Sequence, residues 1–289
     1  MSVSVLVPTT GPWGEVAGYA ALADELGYNS INCSHISARD SFTTLAALAS
    51  VAPSVRLATA VAPIYHRSPA SMAQTAATVD DVSGGRFRLG LGTGHRITMA
   101  QWHGAEIGRP LAEMREYVGV VRALWSGHIA TEGARWRSEF EFVDFAPRQG
   151  IPIYLAALSR GMIRLAAEIA DGIVLWACPP SYIRDVVVPE IREVRRVAGL
   201  GLAAFDAAAG DRTAQLDAIS ERFVFDLCAI GDSPTISQVL QRYRHAGAVN
   251  PMITQIWVAI IHERRWPSHR VRPGILVRST NGAQMNLNE

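Results

Sequence analysis

Extended and helical patterns alternate along this chain from end to end, and that alternation is its tightest constraint. Apolar and β-branched runs at 3–8, 29–34, 55–61, 87–94, 151–158, 172–178, 202–209 and 252–260 read as strands, with amphipathic stretches between them. Strand, helix and parallel strand form the βαβ unit, so a chain of such units makes a mainly parallel sheet covered by helices. Length alone, 289 residues, admits two ordinary domains or one large one. Eight strands is the number that closes a barrel, and the expected fold is α/β, a (β/α)8 TIM barrel.

The helices carry their own punctuation. Residues 15–26 put Val16, Ala20, Ala23 and Leu26 on one face, and Gly27 follows where a C-terminal glycine belongs. Ser68-Pro69 opens a helix with Met72, Ala76 and Val79 inward, closed by Gly84-Gly85, and Pro110 starts another with Leu111, Met114, Val118, Val121 and Trp125. Ser233-Pro234 and Gly247 bracket a further one. The stretch RITMAQWHGAE (96–106) shows no clean helical stripe. Residues 128–150, with Trp136, Phe140, Phe142 and Phe145, read as an insertion after strand four. The barrel is expected to occupy 1–261, and 262–289, with five Arg against two Glu, a C-terminal tail.

Composition excludes several chemistries. All 27 basic residues are Arg, so Schiff-base catalysis and lysine-dependent phosphate loops have no amine to work with. A net charge of +1 gives no electrostatic reason to expect a nucleic-acid or membrane partner. Cys33, Cys178 and Cys228 stand alone, without metal-ligand spacing, and read as reduced thiols of a cytoplasmic protein. There is no His-x-x-x-His pair or carboxylate cluster for a metal and no Gly-x-Ser-x-Gly elbow for a nucleophile. The chain starts almost directly on a strand, so neither a signal peptide nor a membrane span is expected.

In a (β/α)8 barrel the chemistry lies at the C-terminal ends of the strands. Ser34 and His35 follow strand two, Thr93 and His95 strand four, and Ser159 and Arg160 strand five. A histidine at such a place is as readily a hydrogen-bonded surface residue as a catalyst. The glycines of GGRFRLGLGTGHR (84–96) suggest a nicotinamide loop, but the third glycine of that fingerprint is His95 here. AALSRG (156–161) is a small-residue turn into a helix, where free N–H groups and the helix dipole can hold a phosphate, or simply a turn capped by Ser159.

Taken together, LADELGYNSINCSH, RLATAVAPIYHRSPASMAQTAATVDDVSGGRFRLGLGTGH, RPLAEMREYVGVVRALWSG and IPIYLAALSRGMIRLAAEIADG resemble the bacterial luciferase-like superfamily, and within it the oxidoreductases that use the deazaflavin coenzyme F420. The resemblance implies a flat tricyclic ring lying against the strand end at Gly90, Gly92, Thr93 and Gly94, beside a non-proline cis peptide at Ala60-Val61. It implies a phosphate step with Ala157, Leu158 and Ser159 as backbone donors and Arg160 beside them. His35 keeps the second member of a family Asp-His pair, and Ser34 replaces the first. Many relatives carry an acid where this chain has His95. His35 and His95 are thus the expected proton donors, Ser34 is the third expected catalytic residue, and His35 is also expected against the cofactor. A homodimer is also implied.

Three functions compete. The first is hydride transfer between coenzyme F420 and a small organic substrate. The second is an FMN-dependent monooxygenase on the same barrel, fed with reduced flavin by a partner reductase. The third is a cofactor-free barrel that binds or cyclises a metabolite, which the loss of an acid at Ser34 favours.

Overall fold

The computed structural model describes residues 4–176, 178, 180–199, 224–229, 241, 245, 250–254, 276–278 and 284–286. The strands are β1 (Ser4–Leu6), β2 (Ser30–Cys33), β3 (Arg56–Thr59), β4 (Ala62–Pro63), β5 (Phe87–Gly92), β6 (Ile153–Ala156), β7 (Gly172–Val174), β8 (Val224–Ala229) and β9 (Asn250–Thr254). Each pairs in parallel with its neighbours, β1 pairs with β9, and β3 pairs with β5, so the sheet closes on itself. The short β4 extends the seat of β3 along β5, with Ala62 opposite Leu91 and Pro63 opposite Gly92. Counted as seats around the ring, β3 and β4 share one. The result is the eight-seated α/β barrel that the alternating pattern implies.

The barrel's seventh seat differs from expectation. Val224–Ala229 fills the place between β7 and β9, whereas 202–209 lies outside the described residues. That segment is nearly all alanine, with little β-branched character to mark or exclude a strand. The helix expected between Ser233 and Gly247 also lies outside them, apart from residues 241 and 245. Within 262–289, Leu276–Arg278 (β10) and Gln284–Asn286 (β11) pair as an antiparallel hairpin.

The helices cover the outside: α1 (Trp13–Glu25), α2 (Ser41–Leu48), α3 (Pro69–Val82), α4 (Arg96–His103), α5 (Pro110–Trp125), α6 (Arg160–Ile169), α7 (Pro180–Tyr182) and α8 (Val188–Val197), with a π turn at Ile183–Val187 before α8. Val16, Ala20 and Ala23 are buried under α1, and Met72, Ala76 and Val79 under α3. The Ser68 hydroxyl caps α3 by accepting from Ser71 N. Along α5 the stripe Met114, Val118, Val121 and Trp125 is buried, but Leu111 is exposed. Leu111 sits in the first turn, beyond the covered surface. The α4 helix corrects the expectation of an irregular stretch: it buries only Met99, so no apolar stripe announces it. It ends at Gly104, whose φ of 62° is the left-handed cap that glycine supplies without strain.

The 128–150 connection is irregular and pinned by carboxylates. Glu116 accepts from the backbone N–H groups of Ala134, Arg135 and Trp136 at 3.0–3.3 Å. Asp80, buried, takes a two-pronged pair from Arg148 at 2.7 and 2.9 Å. Three of the connection's backbone donors are thereby satisfied by one side chain, and Ala130 and Ser138 exchange backbone hydrogen bonds at 2.7 and 2.8 Å.

Candidate functional site

Because all barrel strands run in parallel, the segments after β2, β4, β5 and β6 open at one mouth. The edge of β5 there is built by close approach. A Cβ at Gly90 would overlap the Thr59 carbonyl, and Thr59 Oγ1 bonds both the Gly90 carbonyl, at 2.8 Å, and its N–H, at 2.9 Å. The room left by Gly90 is therefore taken by β3 and is not open to a ligand, which corrects its expected place under a ring. Gly92 faces Val61, whose Cγ2 would lie 2.7 Å from a Cβ, and Ala156 of the neighbouring strand. The peptide between Ala60 and Val61 is cis, as the resemblance implies. Gly94 turns the chain with φ 70° beneath Met99. Thr93 is half-buried, and its hydroxyl donates to the Gly94 carbonyl at 3.4 Å.

On the β2 side, His35 is built into the start of α2. Its Nδ1 lies 2.8 Å from Ser41 Oγ and accepts from Ser41 N at 3.3 Å. The ring is 12% exposed and packs against Phe42 and His66, with centroids 6.0 and 5.2 Å away. Burial is the largest influence on it and lowers its pKa; Asp40, 3.8 Å from Nδ1, opposes this, while Arg67 and His103 reinforce it. Asp40 caps α2 by accepting from Thr43 N at 2.9 Å and pairs with Arg67. Ser34, half-buried, makes no side-chain hydrogen bond among the described residues.

His95 stands apart from this group. It is exposed, at the position before α4, and its carbonyl accepts from Met99 N and Thr98 Oγ1. No ring contact or hydrogen bond joins it to His35 among the described residues. The partners of His35 are instead His66, after β4, and His103, at the end of α4. Their rings lie 3.8 Å apart, and His66 Nε2 is buried without a hydrogen-bond partner among the described residues. Burial, and then His103, holds His66 down to about 4. Sequence reasoning missed both. His66 falls past the end assigned to strand three, at 61, and His103 lies in a helix that no stripe revealed. A rule testing every histidine within five residues of a strand end would have found His66.

At the third corner, α6 opens with Ser159, whose hydroxyl accepts from Met162 N at 3.3 Å. Leu158, Ser159 and Arg160 are exposed, and the first N–H groups of a helix have no partner within it. Two expectations change here. Ala157 is buried, and its N–H donates to the Val174 carbonyl at 3.1 Å, so it is not a free anion donor. Arg160 is paired with Glu190 at 2.9 Å, a carboxylate it shares with Arg164. What remains for an anion is the helix start itself from Leu158 on. Exposed apolar side chains at Ile36, Ile97, Trp102, Leu158 and Trp176 follow β2, β5, β6 and β7.

No group of three or more His, Cys, Asp or Glu among the described residues is arranged to hold a metal ion. No helix among them is long and apolar enough to cross a membrane. Cys33 is fully buried, and burial pushes its thiol up to about 12, so it is no nucleophile.

Comparison with known proteins agrees with this geometry. The chain is 30% identical over 229 residues to a 5,10-methylenetetrahydromethanopterin reductase of Archaeoglobus fulgidus, covering 77% of this chain and 68% of that one. It is 31% identical over 210 residues to an F420-dependent glucose-6-phosphate dehydrogenase of Nakamurella multipartita, covering 68% of this chain and 62% of that one. Among solved structures, the coenzyme F420 dependent tetrahydromethanopterin reductase of Methanopyrus kandleri superposes with a TM-score of 0.71 over 88% of this chain and 93% of its own, at 19% identity. The model of the luciferase-like monooxygenase family matches residues 1–210. With a closed parallel barrel, a side-chain-poor strand edge and a capped helix start at one mouth, the chain belongs to the luciferase-like monooxygenase family.

Proposed function

We propose that this protein is an oxidoreductase that transfers a hydride between coenzyme F420 and a small organic substrate. The observation that carries the reading is the pairing of β5 with β6 in a chain with F420-dependent relatives. That pairing sets the small residues Gly92, Thr93, Gly94 and Ala156 beside the start of α6. A flat ring needs such an edge, and a phosphate needs such a helix start. These residues fit the cofactor. Gly92, Thr93, Gly94, Ala60 and Val61 would bound the ring, and the N–H groups from Leu158 through α6's first turn would bind its phosphate. When bound, the cofactor supplies hydride chemistry at a ring carbon and no activated oxygen.

The chain's own residues supply position and hydrogen bonding. His35 would present a hydrogen-bond donor at the mouth, with Ser34 beside it in place of a carboxylate. His95, exposed at the start of α4, is the second donor, on the β5 side of the mouth. The exposed apolar rim, Trp102 and Trp176 above all, suits the hydrocarbon part of an organic substrate. We further infer a homodimer acting in the cytoplasm, with a barrel domain over 1–261 and an appended segment over 262–289. Equilibrium sedimentation at micromolar concentration should give twice the chain mass.

The test is a titration of the purified protein with oxidised F420 and, separately, FMN, followed by absorbance and fluorescence. Saturable F420 binding at lower concentration than FMN is expected. Binding of FMN alone would establish the monooxygenase reading, and binding of neither the cofactor-free one.

A further inference from the structure

The junction of His35 with α2 fixes more than the ring's position. Ser41 is the first residue of α2, and its side chain and backbone are fully buried. Its N–H lies 3.3 Å from His35 Nδ1. A backbone N–H can only donate, so the Nδ1 facing it must offer a lone pair. The Ser41 hydroxyl, 2.8 Å from the same nitrogen, can add its own hydrogen. No hydrogen bond among the described residues reaches Nε2. A neutral imidazole accepting at Nδ1 carries its one hydrogen on Nε2.

The same geometry opposes a second proton. An N–H at Nδ1 would point at the Ser41 N–H and at the positive end of the α2 dipole. Among the described residues, each element packed against the ring contributes a charge or a titratable group. From the α2 cap comes Asp40, at 3.8 Å from Nδ1 and, among the described residues, the group favouring a cation. Asp40 is already bound by Thr43 N and Arg67. From the segment after β4 comes Arg67, and from α4 His103, both of which disfavour a cation, while the His66 ring packs against His35 with centroids 5.2 Å apart.

We propose that the Ser41 N–H, at the start of α2, holds His35 as the neutral Nε2–H tautomer, so that His35 meets the substrate as a hydrogen-bond donor and not as an imidazolium acid. Ser41 is then a positioning residue acting through His35. The donor role rests on the F420 reading above; the tautomer does not. A neutral donor placed where negative charge develops on a substrate oxygen or nitrogen stabilises it without being consumed, and the proton that completes the product comes from water.

The experiment is ¹⁵N-detected NMR of the histidine rings in the cofactor-free protein, with a pH titration, on the wild type and two variants. Ser41→Ala keeps the N–H and removes only the hydroxyl. Ser41→Pro removes the N–H at a position where proline is well tolerated, and Asp40 already has the extended ψ of 126° that a residue before proline adopts. In the wild type and Ser41→Ala, His35 is expected as Nε2–H, titrating below the ordinary value of about 6.5. In Ser41→Pro, Nδ1–H should become populated and the titration should rise above that of the wild type, while burial keeps it below about 6.5. A wild-type ring protonated on Nδ1 at pH 7.5 overturns the proposal by itself, even if the proline variant does not fold. A folded Ser41→Pro with an unchanged tautomer overturns it equally. Failure of F420 to bind, with the tautomer as expected, removes the hydride-transfer reading and leaves the tautomer standing.

Discussion

The imidazole rings of His66 and His103 lie face to tilted face, 3.8 Å between centroids, with His66 Nε2 buried beside them and unpaired among the described residues. Such a ring is stable only when neutral, and burial holds His66 down to about 4. In the unfolded chain it titrates near 6.5. Between those values the unfolded state binds a proton that the native state refuses, so stability falls as pH drops from about 6.5 to about 4 and levels off below. His35, also lowered, adds to the slope in the same direction. With solvent screening at a partly exposed ring, the loss due to His66 is about 1–2 kcal/mol. Urea midpoints at pH 7.5, 6 and 5 should therefore decline in the wild type and less in His66→Phe. Parallel declines in the two proteins would show that His66 does not take part.

The approach of β3 to β5 gives a second prediction. A methyl at Gly90 meets the Thr59 carbonyl, which is backbone inside a barrel and cannot rotate away. Gly90→Ala should cost about 3 kcal/mol, the upper part of the range for overpacking a core. At Gly92 the obstacle is the Val61 side chain, which can shift, so Gly92→Ala should cost about 1 kcal/mol. Denaturant unfolding of the two variants compares them directly. Equal losses would mean that the backbone contact at Gly90 is not the tighter one.

Glu113 carries a third. Its carboxylate accepts from Tyr65 Oη at 2.5 Å, Arg109 N at 2.9 Å and Arg135 at 3.1 Å. Burial would raise its pKa, but these three donors outweigh that and lower it. Because Arg135 belongs to the 128–150 connection, Glu113 joins that connection to α5 and to the segment after β4. Glu113→Ala strands a buried phenol and a guanidinium and should cost about 3 kcal/mol. Limited proteolysis should then cut within 128–150 faster, while Glu113→Gln, which keeps an acceptor oxygen, is cut more slowly than the alanine variant. Unchanged proteolysis of Glu113→Ala would place the anchor elsewhere, at Glu116 or Asp80.

Those contacts show what a sequence can and cannot reveal here. Alternation of pattern made the barrel legible, because strand and helix periods are local and the capping residues Ser68, Gly27 and Gly84 sit next to what they cap. The α4 helix was not legible, since a helix that buries one residue has no stripe to read. His35 was visible as a histidine at a strand end. Its dependence on Ser41 was not, because a residue type says nothing about which nitrogen faces a helix start. Arg160 and Ala157 looked free for the same reason: Glu190 and the Val174 carbonyl meet them only through the fold.

The start of α6 gives the last prediction, since it separates holding a helix from holding an anion. The Ser159 side chain caps α6 through Met162 N, and its exposed neighbourhood is the proposed phosphate seat. Aspartate caps a helix as well as serine does and favours the dipole, so Ser159→Asp should leave thermal stability unchanged or slightly raised. The same carboxylate sets a negative charge within a few ångströms of the cofactor's phosphate and competes for the N–H groups that would bind it. Loss of one charge-assisted bond is worth about 1.5–3 kcal/mol, which is 10-fold to 100-fold in the dissociation constant. F420 titration of Ser159→Asp should show a weakening of that order, and Ser159→Ala, which loses the cap but adds no charge, should show lower stability with nearly normal binding. Unweakened F420 binding to Ser159→Asp would move the phosphate away from α6. Weakening in both variants to the same degree would mean that the cap, and not charge, governs the site.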